Sequence, residues 1–170
     1  MRITVTAESF KLAQVFTISR GSRTQADVLT VRVQDGAHQG MGECVPYARY
    51  GETLESVAAE ISGLPDDLTH ESLQTLHPAG AARNAVDCAL WDLAAKQAGK
   101  RVWDLIGLPA PRPEITAYTL SLDTPDAMQA QAAKNAARPL LKIKLGTPDD
   151  MARLEAVRRG ARARACRPQR

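Results

Sequence analysis

No apolar run in this 170-residue chain approaches the length of a membrane-spanning helix. No CxxC pair is present either: Cys44, Cys88 and Cys166 are odd in number and far apart. That favours reduced thiols over disulfides or a zinc site, as in a cytoplasm. The first residues, Met1-Arg2-Ile3-Thr4-Val5, lack the pattern of a secretory signal and alternate like the start of a strand. Acid is missing from one region: from Arg158 onward there are six arginines and no Asp or Glu, while the rest of the chain is slightly acidic. The length suits one domain, or one domain and part of a second.

What is present centres on Leu140-Leu141-Lys142-Ile143-Lys144-Leu145-Gly146. The stretch is short, apolar and ends in glycine, so it reads as a buried strand and a turn. Strand side chains alternate faces, which points Lys142 and Lys144 one way and Leu141, Ile143 and Leu145 the other. Two ammonium groups side by side on an interior face repel each other and lose solvent. Both effects favour a neutral amine able to act as a base. An edge strand with its lysines in water is the plainer alternative.

Upstream, residues 3–9 and 10–18 read as strands leading into a polar loop, Ser19-Arg20-Gly21-Ser22-Arg23-Thr24. Arg23 offers a planar fork suited to a carboxylate, or is simply a solvated loop arginine. Residues 26–33 and 40–45 form a hairpin around Asp35-Gly36. Tyr47, Arg49 and Tyr50 follow in a loop that either lines a cleft or packs on its neighbours. Thr53 is the N-cap of a helix over 54–62 stopped by Gly63, and Thr69 caps a shorter one ended by Pro78. The strongest helix spans 82–98, with Val86, Leu90 and Leu93 at helical spacing and Gly99 as terminator. Asp87 and Asp92 lie five apart on it and read as solvated or capping carboxylates.

A short helix over 102–106 precedes Pro109, Pro111 and Pro113, which mark a boundary near residue 112. Beyond it the pattern becomes strand, helix, strand, helix. A strand over 115–120 leads to Thr124-Pro125-Asp126, a helix start, with that helix running to about residue 137. Thr147-Pro148-Asp149-Asp150 repeats the same start chemistry. Such alternation argues for parallel βα units.

These segments resemble the enolase superfamily, muconate-lactonizing subgroup, and most of all its dipeptide epimerases. The matching stretches are Ile18-Ser19-Arg20-Gly21-Ser22-Arg23, Gly42-Glu43-Cys44-Val45-Pro46-Tyr47, Tyr50-Gly51-Glu52, Pro78-Ala79-Gly80-Ala81-Ala82-Arg83-Asn84, Asp87-Cys88-Ala89-Leu90-Trp91-Asp92-Leu93-Ala94 and Leu141-Lys142-Ile143-Lys144. The resemblance implies an α+β capping domain, a meander plus helices, over residues 1–112. It implies the first two βα units of an incomplete (β/α) barrel over 113–159; residues 160–170 depart from the family pattern and read as a basic tail. Active sites of such barrels lie at the C-terminal strand ends.

By the same resemblance Lys144 is the catalytic base at an α-carbon. Lys142 contacts the substrate carboxylate and helps keep Lys144 neutral, Thr119 binds substrate, and Arg23 grips a glutamate side chain. The family's chemistry is a 1,1-proton transfer on a dipeptide with Mg²⁺ on the carboxylate. The three metal-binding carboxylates and the second lysine belong to later barrel strands, which this sequence does not show. The expectation is a chain inactive alone, whose Arg/Ala/Pro-rich end matches GC-rich DNA read out of frame from near residue 160. Expected partners are a small dipeptide, no nucleic acid and no membrane, with self-association through an open barrel edge. The alternatives are a non-catalytic binding or assembly module, or part of a cycloisomerase, o-succinylbenzoate synthase or N-acylamino acid racemase on the same scaffold.

Overall fold

The structure, a computed structural model, describes residues 1–161 and the backbone of 167–169. The chain divides into two compact units. The first is Met1–Phe10 with Gln25–Pro111, and the second is Lys11–Thr24 with Arg112–Arg170. The frame-break expectation meets this description at its edge, since residues 162–166 and 170 lie outside the described residues.

A three-stranded sheet has the order β1 (Arg2–Ile18), β2 (Gly21–Asp35), β3 (His38–Cys44), with residues 11–24 of β1, β2 and their turn counted in the second unit. β1 is continuous, where the sequence reads as two strands. β2 and β3 are antiparallel and closed by Gly36-Ala37, with Asp35 opposite His38. Gly36 adopts φ +54°, the left-handed region such a two-residue turn requires. Val31 and Val33 of β2 are fully buried.

Five helices and helical turns follow, of which α1 (Leu54–Ser62) and α2 (His70–Leu76) start as the sequence predicts. Thr53 and Thr69 each accept from the N–H three residues on, and Ser56 and Ser72 return the bond to the cap N–H. These are capping boxes with Ser in the third position. α3 (Ala81–Ala98) lies against β3, and α4 (Val102–Leu105) closes the unit. The α3–β3 contact depends on small residues. A Cβ on Gly42 would stand 2.0 Å from the Ala85 carbonyl oxygen, and one on Gly40 2.0 Å from that of Ala89. Glycines two apart on a strand thus meet alanines four apart on a helix, one face of each. Asp92 accepts the Met41 N–H at 2.8 Å and pairs with Lys96, so it caps a strand donor. Asp87 instead pairs with His70, whose ring lies 4.1 Å from that of Trp91.

The second unit holds a parallel sheet in the order β4 (Tyr118–Leu120), β5 (Leu141–Lys144), β6 (Arg167–Gln169). Helices α5 (Pro125–Lys134) and α6 (Asp150–Gly160) cover one side. Leu120, Met128, Ala132, Leu141, Ile143 and Val157 form that core. Gly160 is required where α6 crosses α5, because a Cβ there would stand 2.2 Å from the Gln129 carbonyl oxygen.

Several expectations are corrected here. β4 is confined to three residues, Tyr118–Leu120, after a proline-bearing segment that lacks regular structure. α5 ends at Lys134, three residues short of the expected end. Thr147 does not cap α6: the helix begins at Asp150, whose carboxylate instead accepts the Gly146 and Thr147 N–H groups. Residues 160–170 are not wholly a tail. Gly160 and Ala161 pack against α5 and the core, and 167–169 add a third parallel strand beside β5, satisfying backbone groups β5 would otherwise leave open.

Candidate active-site face

Alternation along β5 decides which side chains can act. Leu141 and Ile143 are buried under the helices, and Lys142 and Lys144 lie half-buried on the opposite face. The parallel register sets Thr119 beside Lys142 and Leu120 beside Ile143. Thr119, Lys142 and Lys144 therefore share one face of the sheet, the face without helices. Thr119 is half-buried as well.

The end of the β1–β2 hairpin belongs to the same unit. Its turn is only Ser19-Arg20, so Arg23 stands on strand β2, exposed, and not in a loop as the sequence suggests. The reason is local. Thr17 Oγ1 and Ser22 Oγ lie 2.8 Å apart and pinch the strands together close to the turn. Ser19 in turn lies beside Gly146, two residues beyond Lys144: a Cβ on Gly146 would stand 3.4 Å from that of Ser19. The hairpin end thus meets the C-terminal end of β5.

Behind β5 the loops are tied by charge. Asp150 is pulled upward by desolvation, but bonds from Gly146 and Thr147 and the charge of Arg153 outweigh this and leave its carboxyl below the ordinary range. Arg153 donates to the Asp123 carbonyl at 2.7 Å and to Thr147 Oγ1, linking the β4–α5 and β5–α6 connections.

Magnesium does not fit the described residues. Among them no group of three or more His, Cys, Asp or Glu is placed to hold a metal ion. Of the acids following β5, Asp150 accepts backbone N–H groups and Asp149 lies 3.9 Å from Arg153.

Residues 1–107 match the family described as Mandelate racemase / muconate lactonizing enzyme, N-terminal domain. The chain belongs to this family. Among relatives of the family, an L-Ala-D/L-Glu epimerase of Escherichia coli (strain K12) is 44% identical over 162 residues, covering 92% of this chain and 50% of that protein. An enolase family member from Agrobacterium tumefaciens with homology to dipeptide epimerases, solved with sodium and L-Ala-L-Glu, is 54% identical at TM-score 0.93. That match covers 98% of this chain and 52% of the other. A dipeptide epimerase from Enterococcus faecalis, complexed with Mg and L-Leu-L-Tyr, superposes at TM-score 0.84 with 28% identity. The chain spans about half the length of the relatives it matches. Among the described residues no helix is long and apolar enough to cross a membrane.

Two residues of this family member escaped the sequence reading. Ser121 is a buried serine at the end of β4, and its hydroxyl accepts the Thr17 N–H. The signal was its spacing: it lies two residues beyond Thr119 and so in the same phase of the strand. Glu52 is the other. Its carboxylate accepts the Ala81 N–H at 2.7 Å and the Tyr47 N–H at 2.9 Å, capping α3 from a loop 29 residues away. No local pattern announces a cap at that range.

Glu52 also lines a small pocket of the first unit, about 260 Å³, with Cys44, Tyr47, Tyr50 and Asn84. Burial, with Glu52 and Glu43 adding to it, pushes the Cys44 thiol up to about 11. A raised folded-state value means the unfolded chain loses this proton first as pH rises. The stability it contributes is therefore complete below about pH 9 and is lost on the way to about pH 11. Cys44→Ala is expected to flatten that alkaline decline, read as the urea midpoint of tryptophan fluorescence at pH 8 and pH 10.5. An unchanged slope contradicts the assignment.

Proposed function

We propose that this chain supplies the cap and one acid–base face of a dipeptide epimerase. The observation that carries the reading is the register of β4 and β5, with Thr119 level with Lys142 and Lys144 two residues along the same face. In this reading Lys142 and Thr119 hold the carboxylate of a dipeptide. An ammonium and a hydroxyl suit that group, since both donate to its oxygens. Lys144 Nζ, acting as the base, takes the α-proton: an N–H bond forms, the C–H bond breaks, and the electron pair moves into the carboxylate. Arg23, at the end of the hairpin, pairs with an acidic side chain. The preference for a glutamate-bearing dipeptide accords with the E. coli and A. tumefaciens relatives, which carry L-Ala-D/L-Glu and L-Ala-L-Glu in their descriptions.

Inversion needs a proton returned on the other face of the carbon and a stabilised dianion between the two steps. The described residues offer one lysine base and no carboxylate cluster. The chain alone is accordingly expected to leave the α-proton of L-Ala-L-Glu in place in D₂O, with magnesium added, when followed by proton NMR. Measurable deuterium incorporation, or appearance of the D-epimer, overturns the half-site reading.

A further inference from the structure

The hairpin end, residues 11–24, is fastened to the end of β4 around Thr17. Thr17 N–H donates to Ser121 Oγ at 2.8 Å, and Leu122 N–H donates to the Thr17 carbonyl at 3.0 Å. The Ser121 hydroxyl, 5% exposed, turns its own proton toward the Val15 carbonyl at 3.4 Å. From Thr17 the chain of contacts runs across the hairpin to Ser22 Oγ, and Arg23 is the next residue. Thr119 is two residues before Ser121 on the other side. One buried hydroxyl therefore joins β1, the neighbour of the strand that carries Arg23, to the end of the strand that carries Thr119.

We infer that Ser121 is a positioning residue for acidic-dipeptide selectivity. It holds the end of the β1–β2 hairpin so that Arg23 stands at a fixed place relative to the lysine face. This rests on the reading of Arg23 and the lysines given above. The physical case is one of ordering. An exposed arginine on an unfastened hairpin must be ordered, backbone and side chain, before it can pair with a carboxylate, and that cost reduces affinity. A hydroxyl does what alanine cannot, since it accepts and donates at once from a buried position. Alanine leaves the Thr17 N–H without its partner. Its effect falls on the end of the hairpin and on ligands that use Arg23, and not on the lysine face itself.

Two measurements on the full chain test this and separate it from the reading beneath it. The first is amide exchange. Ser121→Ala is expected to speed exchange at Thr17 about tenfold, the size of one lost buried hydrogen bond, with Val31 and Val33 unchanged. Unchanged exchange at Thr17 overturns the fastening. The second is calorimetric affinity for L-Ala-L-Glu against L-Ala-L-Leu. Ser121→Ala is expected to reduce the preference for the glutamate dipeptide about fivefold while leaving the leucine dipeptide unaffected. In an Arg23→Ala background the same substitution is expected to change the preference no further. An equal loss for both dipeptides, or a preserved preference, overturns the positioning role. If the parent shows no preference, or Arg23→Ala keeps it, the reading of Arg23 fails and takes the selectivity claim with it, while the exchange result still decides the fastening.

Discussion

Replacing Gly42 with valine is expected to abolish cooperative folding of the first unit. Gly42 lies on β3 against α3, and its missing Cβ is filled by the Ala85 carbonyl oxygen at 2.0 Å and the Ala89 nitrogen at 2.8 Å. Both obstacles are backbone, so no rotamer change relieves them. The helix must move off the strand, and with it Ala85, Ala89 and Leu93, all buried in the core that Leu29, Val31 and Val33 complete. Overpacking of this kind costs more than about 3 kcal/mol when backbone must shift, a large share of a domain's stability. Both tryptophans, Trp91 and Trp103, sit on α3 and α4, so intrinsic fluorescence reports this unit. The parent should give a sharp denaturant transition and Gly42→Val none. Gly36→Ala is the control: the position is open, its strain is confined to one turn, and it should cost about 1 kcal/mol. A sharp transition in Gly42→Val near the parent midpoint contradicts the packing described here.

Truncating Ile143 to alanine is expected to loosen the second unit and leave the first intact. Ile143 is fully buried and lies between the two lysines in sequence. Its side chain fixes β5 against α5 and α6, which is what turns Lys142 and Lys144 to the other face. Removing it leaves a cavity worth about 2–5 kcal/mol. Amide exchange at Tyr118, Lys142 and Lys144 should rise at least about thirtyfold, while the tryptophan transition keeps its midpoint. A matching fall in that midpoint would mean the two units unfold as one.

Much of the scaffold was legible because it is written locally. Thr53, Thr69 and Thr124 announce their helices within three residues, and Asp35-Gly36 announces the hairpin. The lysine pair could be placed on one face from a period of two alone. What was not legible depends on residues distant in sequence. Gly40 and Gly42 look like weak points in a strand until Ala85 and Ala89 are set against them. Glu52 reads as a loop acid until the start of α3 arrives beside it. Arg23 reads as a loop residue because Ser19–Thr24 is polar, but cross-strand pairing at Thr17 and Ser22 carries β2 almost to the turn. The start of α6 misled for a related reason. Thr147-Pro148-Asp149-Asp150 has cap chemistry, and Asp150 uses it backwards, on the turn that holds Gly146 at φ +129°. The third parallel strand follows a segment of arginine and alanine with no apolar alternation to reveal it.

In the proposed function, Thr119, Lys142 and Lys144 make one carboxylate-binding face. Titrating the ¹⁵N-labelled chain with L-Ala-L-Glu tests it most directly. Saturable shifts are expected at the amides of Thr119, Lys142 and Lys144, and these should disappear in Lys142→Ala. Shifts confined to the pocket around Cys44 and Tyr50, or no shift at the three residues, would contradict it.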